Sequence, residues 1–168
     1  SQVPNPQSPY AVSKLTGEYY CRVFCKVYQL ETISLRYFNV FGQRQDANSH
    51  YAAVIPKFIS ALLENHPPTI YGDGEQSRDF TFIDNVVQAN LNGCSASPEA
   101  SGSVFNIACG ERTTLNTLYE DLCRIMDTKQ EPHYASPRPG DVRHSLADIS
   151  KAAEMLNYSP SVTTRAGL

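Results

Sequence analysis

Residues 8–14 read Ser-Pro-Tyr-Ala-Val-Ser-Lys, a tyrosine and a lysine four positions apart just behind a proline. Ser8 fits an N-cap with Pro9 at the first helical position, and apolar and aromatic residues then recur at helical spacing through Leu15, Tyr19, Val23 and Val27, with Tyr20 and Phe24 alongside. This predicts a long helix over about residues 9–29. On such a helix, positions i and i+4 share a face, so Tyr10 and Lys14 address one small volume. A tyrosine that serves as a base near neutrality must drop about three units from its ordinary value near 10, roughly 4 kcal/mol. One ammonium about 6.5 Å away supplies roughly 2.5 kcal/mol at an effective dielectric of about 20. A second cation, such as an oxidised nicotinamide ring, would supply the remainder. On spacing alone the pair reads more simply as two surface residues of a helix start.

The rest of the chain alternates strand and helix. "TISLRYFNV" (32–40) has the β-branched and aromatic content of a buried strand, and a polar loop follows through Ser49. A second helix is expected from Ala53 with Pro56 in its first turn, then a short strand in "PPTIYGDG" (67–74). "SRDFTFI" (77–83) reads as one strand, with Asp84 as a cap for a helix through Cys94. "SVFNIAC" (103–109) reads as a strand, residues 115–126 as a helix capped by Thr113 or Thr114, and a last helix runs from Asp148. Alternation of this kind is α/β, with few strands for a whole doubly wound domain.

Composition bounds the function. The 168 residues are 41% hydrophobic and 18% charged with a formal net charge of −3, ordinary for one folded unit of a soluble protein. No basic run tracks a phosphate backbone, so a nucleic-acid partner is not expected. Five cysteines include no C-x-x-C pair and no zinc-like spacing, so no metal is expected and reduced thiols in a cytoplasmic protein are. No apolar run reaches the ~20 residues of a membrane span. The nine glycines form no dinucleotide fingerprint and no P-loop. The first residue is not Met, and the chain stops soon after a turn at Ser159-Pro160; a piece of a larger protein is expected.

Taken in order, "NPQSPYAVSK", "LRYFNVFG", "VIPKFI", "IYGDGEQSRDFTFIDNV", "FNIACGERTTLNTL" and "GDVRHSLADISKA" resemble the C-terminal half of extended short-chain dehydrogenases/reductases. More narrowly they resemble NAD-dependent nucleotide-sugar epimerases, and among those the UDP-N-acetylglucosamine 4-epimerases. The resemblance covers nearly the whole chain. It implies the end of a Rossmann domain with the catalytic helix (1–45), then a smaller α/β sugar-nucleotide domain (46–168) with segments returning to the Rossmann sheet. The N-terminal dinucleotide-binding half, with its Gly-rich loop and the upstream Ser/Thr, lies outside the sequence, so this piece alone is expected to be inactive.

The resemblance also assigns roles. Tyr10 would exchange the proton of the sugar 4-OH while hydride leaves C4 for NAD, and Lys14 would support it and hold the nicotinamide ribose, with Tyr37 near the nicotinamide. Asn39 would contact the diphosphate end of a UDP-sugar. Val54 would meet the base through its backbone, and Tyr71 would stack on uracil. Arg78 and Arg138 would clamp the diphosphate, which favours bidentate, permanently charged donors. Asp141 would accept a ribose hydroxyl, and Ser145 would border the sugar and leave room for an N-acetyl group. Arg143 could meet a C6 carboxylate or face solvent, and Asp79 and Asp84 are structural, through salt bridging and capping. The expected reaction is 4-epimerisation of UDP-GlcNAc/UDP-GalNAc or the uronic acid forms. A 4,6-dehydratase, a UDP-glucuronate decarboxylase and a non-catalytic binding fragment remain as alternatives. Family members pair through a bundle built on the first helix, so a homodimer through the helix starting at Ser8 is expected; Tyr19, Tyr20 and Phe24 would supply that surface or the core.

Overall fold

The computed structural model describes residues 3–46, 53–138 and 140–168. The end of the polar loop expected through Ser49, and Pro139 of the "RPGD" stretch, lie outside them.

Helix α1 (Pro9–Tyr28) begins as its sequence dictates: the Ser8 hydroxyl accepts from the Ala11 amide at 3.1 Å. It ends at Gln29, whose φ of 57° is left-handed. None of its residues is buried, and Tyr19, Tyr20, Val23, Phe24 and Val27 are all exposed. Their helical periodicity therefore marks a face that the described residues leave uncovered, outside the core that these residues form.

Strand β1 (Ile33–Tyr37) pairs in parallel with β6 (Ser103–Ile107), in register Ile33↔Ser103 to Tyr37↔Ile107. Around this pair α3 (Ile83–Cys94) and α5 (Ser150–Leu156) bury Val86, Phe105, Ile107, Leu156 and Tyr158. The Tyr158 hydroxyl donates to the Ala108 carbonyl at 2.8 Å, so burial of the phenol leaves its donor satisfied. A second cluster gathers Phe41, Ile55, Phe58, Leu62, Ile70, Phe80, Leu118 and Leu122. It lies between α2 (Val54–Leu63), α4 (Leu115–Ile125) and β3 (Thr69–Tyr71), which pairs in parallel with β8 (His133–Ala135). Thr114 is the α4 cap, accepting from the Thr117 amide at 3.0 Å.

The expected strand over "SRDFTFI" is two strands. β4 (Ser77–Arg78) runs antiparallel to β7 (Thr113–Thr114), and β5 (Thr81–Phe82) parallel to β2 (Val40–Phe41). The break falls at Asp79, which is fully buried and forms no ion pair among the described residues. Its carboxylate accepts the amides of Cys109 at 2.9 Å, Gly110 at 3.1 Å and Ala147 at 3.2 Å. Backbone donors thus replace the expected salt bridge. Asp84 is also not a cap: Phe82 occupies that position, and Asp84 sits in the first turn of α3, where a carboxylate suits the helix dipole. α5 starts two residues later than expected because Asp148 accepts from the Ser150 amide at 3.0 Å and its hydroxyl at 2.6 Å. β8 and the short α6 (Thr164–Gly167) were not anticipated; each is too short to carry a periodic signal.

Candidate active site

The predicted residues fall around two cavities. The first, about 590 Å³, is lined by Tyr10, Lys14, Glu18, Arg36 and Tyr37 among others. Helical spacing puts the Lys14 ammonium over the Tyr10 ring, 5.2 Å from its centroid. Tyr10 is exposed, and Tyr37 joins from the end of β1, its hydroxyl donating to Asn90 Oδ1 at 3.0 Å. Glu18, one turn beyond Lys14, binds Arg36 of β1 through two bonds of 2.6 Å each. That pair fastens α1 to the strand that carries Tyr37. The donor set fits the nicotinamide-ribose end of a dinucleotide: a phenol, an ammonium and an aromatic face. The pyrophosphate cradle such a cofactor needs is not among these 168 residues.

The second cavity, about 220 Å³, is lined by six of the seven residues assigned to substrate: Asn39, Val54, Tyr71, Arg78, Arg138 and Asp141. Asn39 follows Tyr37 by two residues, so the chain crosses from one cavity wall to the other at the end of β1. Asn39 has a φ of 34°, its carbonyl accepts from the Thr81 amide at 3.2 Å, and its side-chain amide donates to the Asp79 carbonyl at 2.9 Å. The Arg78 guanidinium donates to the Asp141 carboxylate at 2.5 Å and to the Ser77 carbonyl at 2.9 Å. The Arg138 guanidinium lies 3.8 Å from the centroid of the Tyr71 ring. This neighbour, chiefly by hydrogen bonding and then by its charge, draws the Tyr71 phenol below its ordinary value.

The turn after Tyr71 holds this wall in place. Gly74 has a φ of 77°, and a Cβ there would lie 1.9 Å from Asn116 Oδ1, so the position requires glycine. Asn116 donates to the Asp73 carbonyl at 3.0 Å and to Glu75 at 2.6 Å. Asp73 in turn takes two bonds from Arg143, at 3.0 and 2.7 Å. Arg143 is therefore neither a free cation nor merely solvent-facing. The pair draws the Asp73 carboxyl below the usual carboxylate range.

Ser145 does not line the second cavity. Its amide donates to the Ser77 carbonyl at 3.1 Å, and its hydroxyl oxygen is buried with no partner among the described residues. Lys57 and Gln76 are among the lining residues that escaped the sequence reading. Lys57 lies one turn after Val54 on α2, a spacing that could have signalled it. Gln76 carried no periodic or charge signal. Among the described residues no helix is long and apolar enough to cross a membrane.

Comparison with known proteins places the fold. A UDP-N-acetylglucosamine 4-epimerase from Methanobrevibacter ruminantium M1, in complex with UDP-N-acetylmuramic acid, superposes with a TM-score of 0.91 at 45% identity, over 96% of this chain and 51% of that one. A UDP-glucose 4-epimerase from Thermotoga maritima, with UDP-glucose, gives 0.92 at 40% identity, over 98% and 52%. A UDP-glucuronic acid 4-epimerase from Bacillus cereus, in complex with UDP-glucuronic acid and NAD, gives 0.88 at 35% identity, over 98% and 51%. The chain spans about half the length of the curated relatives it matches. Residues 1–108 match the NAD dependent epimerase/dehydratase family, and with the Tyr10–Lys14 pair and the arginine-lined cavity in place, the chain belongs to that family.

Proposed function

We propose that this chain is the catalytic and substrate-binding part of an NAD-dependent UDP-sugar 4-epimerase, acting on UDP-N-acetylglucosamine and UDP-N-acetylgalactosamine. One observation carries the reading: Tyr10, Lys14 and Tyr37 surround one cavity and the diphosphate candidates the next, with the chain passing between them from Tyr37 to Asn39. A nucleotide sugar bound through Tyr71, Arg78 and Arg138 would extend its hexose toward Tyr10.

Bound NAD would supply hydride acceptance and return at C4 of the sugar, with Lys14 and Tyr37 holding its nicotinamide end. Tyr10 takes the proton of the 4-OH as the 4-keto sugar forms and returns it when the other epimer is made. Arg78 and Arg138 neutralise the diphosphate with planar, permanently charged forks. The base lies on Tyr71 beside the backbone of Val54, and Asn39 and Asp141 hold the diphosphate end and the ribose. Ser145 is not on the wall of this cavity, so the N-acetyl preference rests on the likeness to a UDP-N-acetylglucosamine 4-epimerase. The β1–β6 pair continues the dinucleotide-binding sheet, residues from 46 onward form most of the sugar-nucleotide domain, and the exposed apolar residues of α1 include a homodimer surface.

The test uses the full-length protein with NAD and UDP-GlcNAc, followed by NMR with UDP-glucose as competitor. Formation of UDP-GalNAc, lost in Tyr10→Phe, is expected. A 4-keto-6-deoxy or decarboxylated product would replace epimerisation by the related chemistries. Binding without turnover would leave a non-catalytic sugar-nucleotide module.

A further inference from the structure

We propose that Asn90 is a positioning residue for catalysis, holding the Tyr37 ring in place as a wall of the cavity shared by Tyr10 and Lys14; this rests on the NAD-dependent epimerase reading above. Tyr37 is the last residue of β1 and is 48% exposed, so packing among the described residues does not choose its rotamer. The backbone around it is fixed: the Phe38 amide donates to the Ile107 carbonyl at 3.0 Å, and the Thr81 amide to the Asn39 carbonyl at 3.2 Å. What the backbone leaves free is the side chain. Its hydroxyl donates to Asn90 Oδ1 at 3.0 Å, and Asn90 belongs to α3 rather than to the wall of the cavity.

The other end of the Asn90 amide sets the polarity of this bond. Its Nδ2 donates to the Val86 carbonyl one turn back at 2.7 Å, which leaves Oδ1 to face the phenol. An amide oxygen can only accept, so the Tyr37 hydroxyl is the donor. The anchor is firm, because Val86 and Ala89 of the same helix are buried in the core beside β1. Through Asn90 the Tyr37 ring is tied to that core and not left to the open cavity. Its proton is committed as well: of the two tyrosines on the cavity wall, Tyr37 donates to Asn90, and Tyr10 is left as the phenol that exchanges a proton. A ring held in this way can bear on a flat ligand ring without losing rotamer freedom on binding, since that freedom is already gone.

A double-mutant cycle in the full-length protein tests this, with Asn90→Ala, Tyr37→Phe and the two combined. Each single change breaks the same bond from one side. Neither opens the core, since both residues are exposed, and alanine is the better helix former at position 90. Turnover of UDP-GlcNAc at saturating NAD should fall about tenfold in each single variant, and NAD affinity, read by calorimetry on protein stripped of cofactor, about fivefold. UDP affinity and the thermal midpoint should hardly move. Because all three variants lose one and the same bond, the combined variant should be no worse than either single one. Additive losses in the combined variant, or unchanged turnover and NAD affinity in Asn90→Ala, would overturn the assignment and leave the epimerase reading standing. A matching fall in UDP affinity would make Asn90 a support of the whole fold and overturn the assignment too. Absence of turnover in wild type would overturn both.

Discussion

The guanidinium of Arg138 lies 3.8 Å from the centroid of the Tyr71 ring, on a face that a uracil base would use, while Asp141 holds Arg78 at 2.5 Å. Without a nucleotide, the groups that would receive it satisfy one another. The arginine shields the aromatic face, and the carboxylate neutralises the other clamp. On the proposed reading, binding would exchange contacts rather than create a site from separated parts: base would replace guanidinium on the ring, and diphosphate would compete with Asp141 for Arg78. Such exchange would keep the cations aligned and lower the ordering cost of binding.

Replacing Arg138 by lysine should therefore cost more than its retained charge suggests. An ammonium cannot form the planar fork and stacks less well on an aromatic ring. Calorimetry should show UDP binding at least tenfold weaker in Arg138→Lys, with the loss smaller for uridine, which carries no diphosphate. An equal loss for both ligands would place Arg138 at the base alone.

Tyr71 should titrate below the ordinary phenol value, and the shift should vanish in Arg138→Ala. The cause is the adjacent guanidinium, first through hydrogen bonding and then through charge. A depressed acid adds stability above its unfolded value, and that contribution is lost as pH falls through the folded value. Ultraviolet titration of wild type against Arg138→Ala and Tyr71→Phe measures the shift directly.

The catalytic prediction is a split between chemistry and binding. Tyr10→Phe keeps the ring beneath the Lys14 ammonium and removes only the proton carrier. Turnover of UDP-GlcNAc by the full-length protein should fall by about 10²–10⁴, the usual weight of a general acid–base, with UDP affinity unchanged. A fall in affinity of the same size would assign Tyr10 to binding instead.

Much of this arrangement was legible in the chain because its signals are local or ordered. Ser8-Pro9 sets the start of α1, and the spacing of Tyr10 and Lys14 sets a shared face, whatever surrounds them. The order of "YFNV", "VIPKFI", "YGDG", "SRDF" and "RPGD" brought six substrate candidates to one cavity. What escaped depends on contacts distant in sequence. The break in "SRDFTFI" comes from amides at positions 109, 110 and 147 converging on Asp79, and Asp73 finds Arg143 seventy residues away. Gln76 escaped because a neutral side chain shows its importance only once its partners can be counted.

Asp79 illustrates the consequence for stability. Burial raises its carboxyl above the ordinary range, the backbone amides of Ala147, Cys109, Gly110 and Glu111 opposing that rise. A raised acid adds stability below its unfolded value of about 4 and loses it as pH climbs through the folded value. Asp79→Asn keeps one acceptor but turns an NH₂ toward amide donors, so it should destabilise by about 2–4 kcal/mol. Denaturant melts of the two proteins from pH 4 to 7 should show their difference narrowing as pH rises. A constant difference would mean that Asp79 keeps one protonation state throughout.

The Glu18–Arg36 pair yields the last prediction, because it fastens the element that carries chemistry. Tyr10, Lys14 and Glu18 recur at four-residue intervals on α1, and Arg36 precedes Tyr37 on β1. With no residue of α1 buried in this chain, two bonds of 2.6 Å are a principal tie between helix and strand. Arg36 is part exposed, its side chain at 41% against 16% for Glu18, so solvent screening limits the stabilisation to about 1 kcal/mol. Arg36→Lys gives up the bidentate geometry and keeps the charge. In the full-length protein the thermal midpoint should fall by only about 2–4 °C. Turnover should fall severalfold more than this loss of folding would explain, as Tyr10 and Lys14 drift from the Tyr37 wall. UDP affinity should not change, since that cavity is built from other elements. If turnover and UDP binding decline together, the pair supports the fold as a whole and has no special part in aligning Tyr10.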